Sequence, residues 1–124
     1  MNKVDFAAAF RNRTKDLALK TLILFRSLNQ SEETKFIGKQ LMRCSSSVAA
    51  NYRSACRARS RAEFFSKICI VVEEADETLF WLEVLEESRL VPIEQIGPIK
   101  KEAKEILYVT ARARKTAQNK GRKE

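Results

Sequence analysis

The 124-residue chain carries 24 Lys and Arg against 16 Asp and Glu, with three Cys, three Gly, two Pro and no His, for a net charge of +8. A length inside the commonest domain range of ~100–150 residues allows one hydrophobic core, and the missing histidine excludes Ser-His-Asp and Cys-His catalytic groups, imidazole metal ligation and an unperturbed pKa near neutrality. Cys44, Cys56 and Cys69 are an odd set without a C-x-x-C pair, so they read as small apolar residues in a reducing cytoplasm rather than as a zinc or redox site.

Few Gly and Pro, and no β-branched alternation, predict helices throughout. The first spans residues 2–28 or 4–28, with Phe6, Phe10, Leu17, Thr21, Leu24 and Leu28 as its core stripe. Its apolar start, Phe6-Ala-Ala-Ala-Phe10, is closed by Arg11 too early for a signal-peptide core. No apolar run approaches the ~20 residues of a membrane span, and a soluble, cytoplasmic protein is expected. Asn29-Gln30-Ser31 breaks the helix.

A second helix over residues 32–58 places Ile37, Leu41, Cys44, Val48, Asn51 and Ala55 on one face. Ser60-Arg-Ala-Glu63 then has the form of a capping box. The third helix, residues 61–87, shows a stripe of Phe65, Ile68, Val72, Ala75, Leu79 and Leu82, while Ile70, Trp81 and Leu85 fall on its opposite side. A Trp and two aliphatics facing water predict an oligomer interface.

Ser88-Arg-Leu-Val-Pro92 is the next turn, and the fourth helix starts at Pro92 or, if Gly97-Pro98 interrupts it, at Pro98. Ile99, Ala103, Ile106, Thr110 and Ala113 form its core stripe. The apolar period lapses after Lys115, so residues 1–116 read as one domain and 117–124 as a flexible basic tail. Short connections make neighbouring helices antiparallel, and the expected fold is all-α, an up-down-up-down four-helix bundle.

Charge is unevenly spread. Residues 1–30 and 31–60 each carry 6 basic and 2 acidic groups, 61–90 carry 3 and 8, and 91–124 carry 9 and 4. Such asymmetry points to a polyanionic partner for the basic segments, or to pairing of the acidic helix with a basic one.

The second and third helices carry the stretch Leu41-Met-Arg-Cys-Ser-Ser-Ser-Val-Ala-Ala-Asn51-Tyr-Arg-Ser-Ala55, then Ser60, Phe64-Phe65-Ser-Lys67, Glu73-Glu-Ala-Asp-Glu77-Thr78 and Trp81-Leu82-Glu83. Small residues before Ala-Asn, a Ser-x-x-x-Phe helix start and Glu-x-x-x-Glu-Thr-x-x-Trp-Leu together resemble the bacterial four-helix-bundle family of proteins encoded in 23S rRNA intervening sequences. The likeness runs over roughly residues 6–115. It extends to the accessory protein of diversity-generating retroelements, a basic bundle thought to bind nucleic acid and a reverse transcriptase. The resemblance implies a homopentamer and no enzymatic activity. One departure is Ser54, where the family commonly has Glu.

Two basic constellations are candidate nucleic-acid contacts. Lys35, Lys39, Ser46, Arg53 and Arg57 project within about 40° of one another on the second helix, a ridge roughly 33 Å long that can follow a phosphate backbone. Arg112, Arg114 and Lys115, with Lys120, Arg122 and Lys123 beyond them, form the second. The plain alternative for both is a solvated, solubilising surface. Most Phe lie on core stripes, so phosphate contacts are expected more than base readout.

Glu73, Glu74 and Glu77 share the outward side of Ile70, Trp81 and Leu85, and these six are the expected subunit interface, with Arg43, Arg53, Arg57 and Arg59 of a neighbour as ion-pair partners. Glu74-x-x-Glu77 and Glu102-x-x-Glu105 resemble a helical Mg²⁺ site, but Lys100, Lys101 and Lys104 crowd the second pair. Ser45-Ser46-Ser47 lacks a glycine loop for phosphate and reads as a point of close helix approach. The expectation is a non-catalytic homo-oligomer that binds RNA by sequence-tolerant contacts, with no metal, cofactor, membrane or small-molecule substrate. The alternative is an oligomeric protein-binding adaptor, for example an accessory subunit of a reverse transcriptase.

Overall fold

The computed structural model describes residues 2–29 and 31–122. Four helices follow in order, α1 (Lys3–Ser27), α2 (Glu32–Cys56), α3 (Arg61–Glu87) and α4 (Ile93–Arg122), with no strand among the described residues. Each touches only its two neighbours in the cycle α1-α2-α3-α4, and α1 meets α4 least. The antiparallel bundle expected from the sequence is thereby formed, with α2 and α4 at diagonal corners.

Caps fix the helix starts. Asn2 Oδ1 accepts from Asp5 N at 2.9 Å, Ser31 Oγ from Thr34 N at 3.3 Å and Ser60 Oγ from Glu63 N at 3.0 Å. Only the hydroxyl half of the expected capping box is made as anticipated, because the Glu63 carboxylate lies 3.8 Å from Arg59 Nε. At the end of α3, Arg89 adopts φ 59°, a left-handed position usually given to Gly, and donates its N–H to Glu86 O.

α4 begins at Ile93 and runs through Pro98. Pro98 lies in the second turn, where the N–H it lacks costs one bond to the carbonyl of the exposed Glu94, which water can supply. Helix continues to Arg122, so the segment 117–122, expected as a flexible tail, is an extension of α4. Good helix formers such as Ala117, Gln118 and Lys120 sustain it without an apolar period. Lys123 lies outside the described residues.

The core contains Phe10, Leu17 and Leu24 of α1, Leu41, Cys44 and Val48 of α2, Ile68, Val71, Ala75 and Leu82 of α3, and Ile96, Ala103 and Ile106 of α4. Buried threonines satisfy their hydroxyls on carbonyls of the preceding turn, as Thr78 does on Glu74 O at 2.8 Å and Thr110 on Ile106 O at 2.8 Å. The serine run serves close approach: Ser45 Oγ meets Thr21 Oγ1 at 2.6 Å across α1 and α2.

Two expectations for the core are corrected. Phe6 is 48% exposed, because it lines the groove that opens at that end of the bundle. Leu85, expected on the outer interface, is wholly buried. Helix α3 packs against both α2 and α4, so Ile68, Val71, Val72, Ala75, Thr78, Leu82 and Leu85 cover an arc of about 140° at 100° per residue, with Leu85 at its edge.

Candidate nucleic-acid interface

Antiparallel packing sorts charge by height. The half of the bundle made by residues 2–14, 50–70 and 108–122 carries 13 Lys or Arg and 2 Asp or Glu, a balance of +11. The other half, residues 15–49 and 71–107, carries 10 and 13, a balance of −3. The net positive charge of the chain therefore belongs to one pole, where α1 and α3 begin and α2 and α4 end.

Lys35, Lys39, Ser46, Arg53 and Arg57 are all exposed along α2. The four cations have no ion-pair partner among the described residues. Lys35 and Lys39 stand toward the acidic pole, Arg53 and Arg57 at the basic one. On α4, Arg112 sits over the exposed Tyr108 ring at 5.7 Å, Lys115 is exposed and Arg114 half-buried. The ridge and the α4 cations lie on diagonal helices, so they do not share a face and converge only at the basic pole.

A groove of about 950 Å³ opens at that pole between the ends of all four helices. Phe10, Tyr52, Phe64 and Val109 wall it, Phe6 lies at its mouth, and Lys3, Arg11, Arg59 and Lys120 surround it. Burial pushes the Tyr52 phenol well above its ordinary value, with the adjacent Cys56 acting in the same direction. No helical stripe predicts this site; its trace in the sequence is the alternation Arg57-Ala-Arg59-Ser-Arg61 in the α2–α3 turn, together with Phe6 and Phe10 one turn apart.

The acidic helix is engaged within its own chain. Arg43 Nη2 lies 2.7 Å from Glu77 Oε1 and Nη1 3.2 Å from Glu74 Oε2, so within the chain Glu74 and Glu77 pair with Arg43 of α2. The hydrogen bond from Arg43 holds the Glu77 carboxyl below its ordinary pKa against a smaller opposing effect of burial. Beside them, burial raises the Cys44 thiol to about 12, with Glu77 adding to the shift. Glu73 is exposed.

Arg13 likewise clamps α4, its Nε and Nη2 each donating to Glu102 at 2.7 Å and Nη2 also to Glu105. The two carboxylate pairs weighed as a Mg²⁺ cage each hold a guanidinium instead. Among the described residues no three His, Cys, Asp or Glu side chains converge on a metal position, and no helix is long and apolar enough to cross a membrane.

Of the other expected interface residues, Ile70 is 36% exposed and Trp81 partly buried against its own core. Phe36 and Phe80 meet the Trp81 ring edge-on at 5.8 and 4.9 Å and are themselves more than half exposed, an aromatic patch over the α2/α3 seam. Trp81 Nε1 is buried without an acceptor at hydrogen-bonding geometry, although it lies near enough to favour the Glu77 carboxylate.

The fold and the charge distribution define a small, single-core antiparallel helical bundle with one strongly basic end. Residues 9–111 match the model of the 23S rRNA-intervening sequence protein family, and the chain belongs to that family. The fold is shared with the crystal structure of a protein of unknown function from the S23 ribosomal protein family of Bacteroides thetaiotaomicron. That protein is 30% identical, with 85% of this chain and 97% of that chain covered at a TM-score of 0.78. No curated protein matched.

Proposed function

We propose that this protein is a non-catalytic, basic homo-oligomer that binds nucleic acid, RNA foremost, through sequence-tolerant phosphate contacts. The observation that carries the reading is the segregation of charge: the acidic half nearly balances its 13 carboxylates with 10 cations of its own, whereas the other pole has a balance of +11 and the ridge cations Lys35, Lys39, Arg53 and Arg57 have no ion-pair partner among the described residues. Lys35, Lys39, Arg53 and Arg57 follow the strand, with Arg112, Arg114 and Lys115 as outlying contacts.

Two apolar surfaces support the oligomer. Phe36, Phe80 and Trp81 lie over the α2/α3 seam, and Ile23, 62% exposed beside Ile99, lies over the α1/α4 seam on the opposite face. Both belong to the less basic half of the bundle. Two different patches at similar height suit a heterologous contact between copies; closure into a ring and the copy number of five come from the family resemblance.

The experiment is retention of the protein on RNA across a salt series. With four phosphates neutralised, affinity falls about 50- to 150-fold between about 50 and 200 mM salt, and Arg53→Glu with Arg57→Glu flattens that slope. A salt-independent interaction, or none at the lowest salt, refutes the reading. Native mass measurement of the wild type and of Trp81→Ala tests the ring.

A further inference from the structure

The groove at the basic pole holds an aromatic surface that the α2 ridge lacks. Phe6 and Phe10 stack with 10° between their planes and 5.7 Å between centroids, and Tyr52 meets Phe10 edge-on at 4.8 Å. Phe10 and Tyr52 are buried, so the stack ends at Phe6, whose half-exposed ring lines the mouth. Lys3 and Arg11 flank it from α1, and Arg59 and Lys120 face it from the α2–α3 turn and α4. Lys3, Arg11 and Lys120 have no ion-pair partner among the described residues.

The volume of about 950 Å³ is at the upper end of sites for small organic groups, ~300–1,000 Å³. It has room for unstacked bases. Along its length a duplex keeps its bases inside and offers only their edges and its phosphates, so its sides carry nothing that matches an open aromatic stack. A single strand offers π faces and anionic linkers at alternating positions, which is the pattern of the groove.

We propose that this groove binds unpaired nucleotides of a single-stranded nucleic acid, one base stacking on Phe6 while neighbouring phosphates meet Lys3, Arg11, Arg59 and Lys120. The inference rests on the nucleic-acid reading above and narrows it from any polyanion to a strand with exposed bases. The charge favours an anionic occupant over an uncharged apolar one, since the surrounding pole has a balance of +11. The flat end of the stack favours a base over the irregular side chains of an acidic helix.

The test is fluorescence anisotropy with the full chain and three probes of about twelve nucleotides: an unstructured RNA, the DNA of the same sequence, and a blunt RNA duplex. Phe6→Leu keeps apolar bulk at an exposed site and removes the flat face, and thermal unfolding verifies that the bundle is intact. Expected are tighter binding of a single strand than of the duplex, and a loss of about 5- to 100-fold for that strand in Phe6→Leu with the duplex changed by less than about twofold. Comparing the RNA and DNA arms shows whether the sugar hydroxyl is read, and Phe6 dependence in either supports the assignment.

Arg53→Glu with Arg57→Glu separates the two ideas. If it abolishes duplex and single-strand binding while Phe6→Leu changes neither, or both alike, the groove assignment is overturned and the ridge reading stands. If no probe is retained even at low salt, both fall. Displacement of a groove-bound polarity-sensitive dye by an acidic amphipathic peptide but not by the oligonucleotides also overturns it.

Discussion

Gly38 offers a test of how α1 and α2 are held together. A Cβ built there would stand 2.6 Å from Phe25 Cε2 and nearer still to Cδ2, with Leu28 Cδ1 at 3.4 Å behind. Carbon contacts are most favourable at ~3.5–4.0 Å, so the ring would have to retreat by about 1 Å or more. Overpacking of this kind costs about 1–3 kcal/mol, and the better helix propensity of Ala offsets about 1 kcal/mol. Gly38→Ala is therefore expected to lower stability by about 1 kcal/mol. In a Phe25→Ala background the obstacle is gone, and the same change is expected to raise stability by about 1 kcal/mol. Urea denaturation of the four proteins at one protein concentration measures the cycle. If Gly38→Ala stabilises both backgrounds equally, Phe25 is not wedged against Gly38 and the close approach described for this seam is wrong.

Arg89→Gly relieves the left-handed backbone at the end of α3 and is expected to gain about 0.5–1 kcal/mol, read as a higher urea midpoint; no gain would mean the turn relaxes in solution. Glu77 titrates below its ordinary value when folded, so its stabilising effect is present above the unfolded-state pKa and is lost as pH falls through the folded one. Acid titration of stability is expected to be shallower in Glu77→Gln, and an unchanged slope would discount the Arg43 pair. A thiol raised to about 12 leaves Cys44 protonated at pH 8, and an aromatic disulfide reagent is expected to modify the part-exposed Cys56 and Cys69 while Cys44 reacts only on unfolding. Equal reactivity of all three would contradict the burial.

Much of the architecture was legible because the signals are local. Helix α3 begins and ends at Arg61 and Glu87 as its pattern predicts, set by the Ser60 hydroxyl cap and the following turn, and the stripes on α2 and α4 follow a single narrow period. The failures have a common cause in neighbours that a periodic stripe does not specify. Leu85 is buried because α3 is covered from two sides, and Phe6 is exposed because it borders the groove between the helix ends. The basic residues could be placed on faces, whereas their convergence at one pole depended on folding four segments back on each other. Arg43 and Arg13 show the same limit. Their carboxylate partners lie 31 to 92 residues away in sequence, a separation that a helical period does not link.

Segregation of +11 at one end from −3 at the other also makes the molecule a strong electric dipole lying along the helices. In the field of a polyanion such a body turns before it touches, so encounters begin with the correct end forward and the orientational search that slows most docking is shortened. Added salt would then act first on the rate of arrival, and charge-neutral exchanges between the two ends, which leave the total at +8, would slow association while leaving the overall charge untouched.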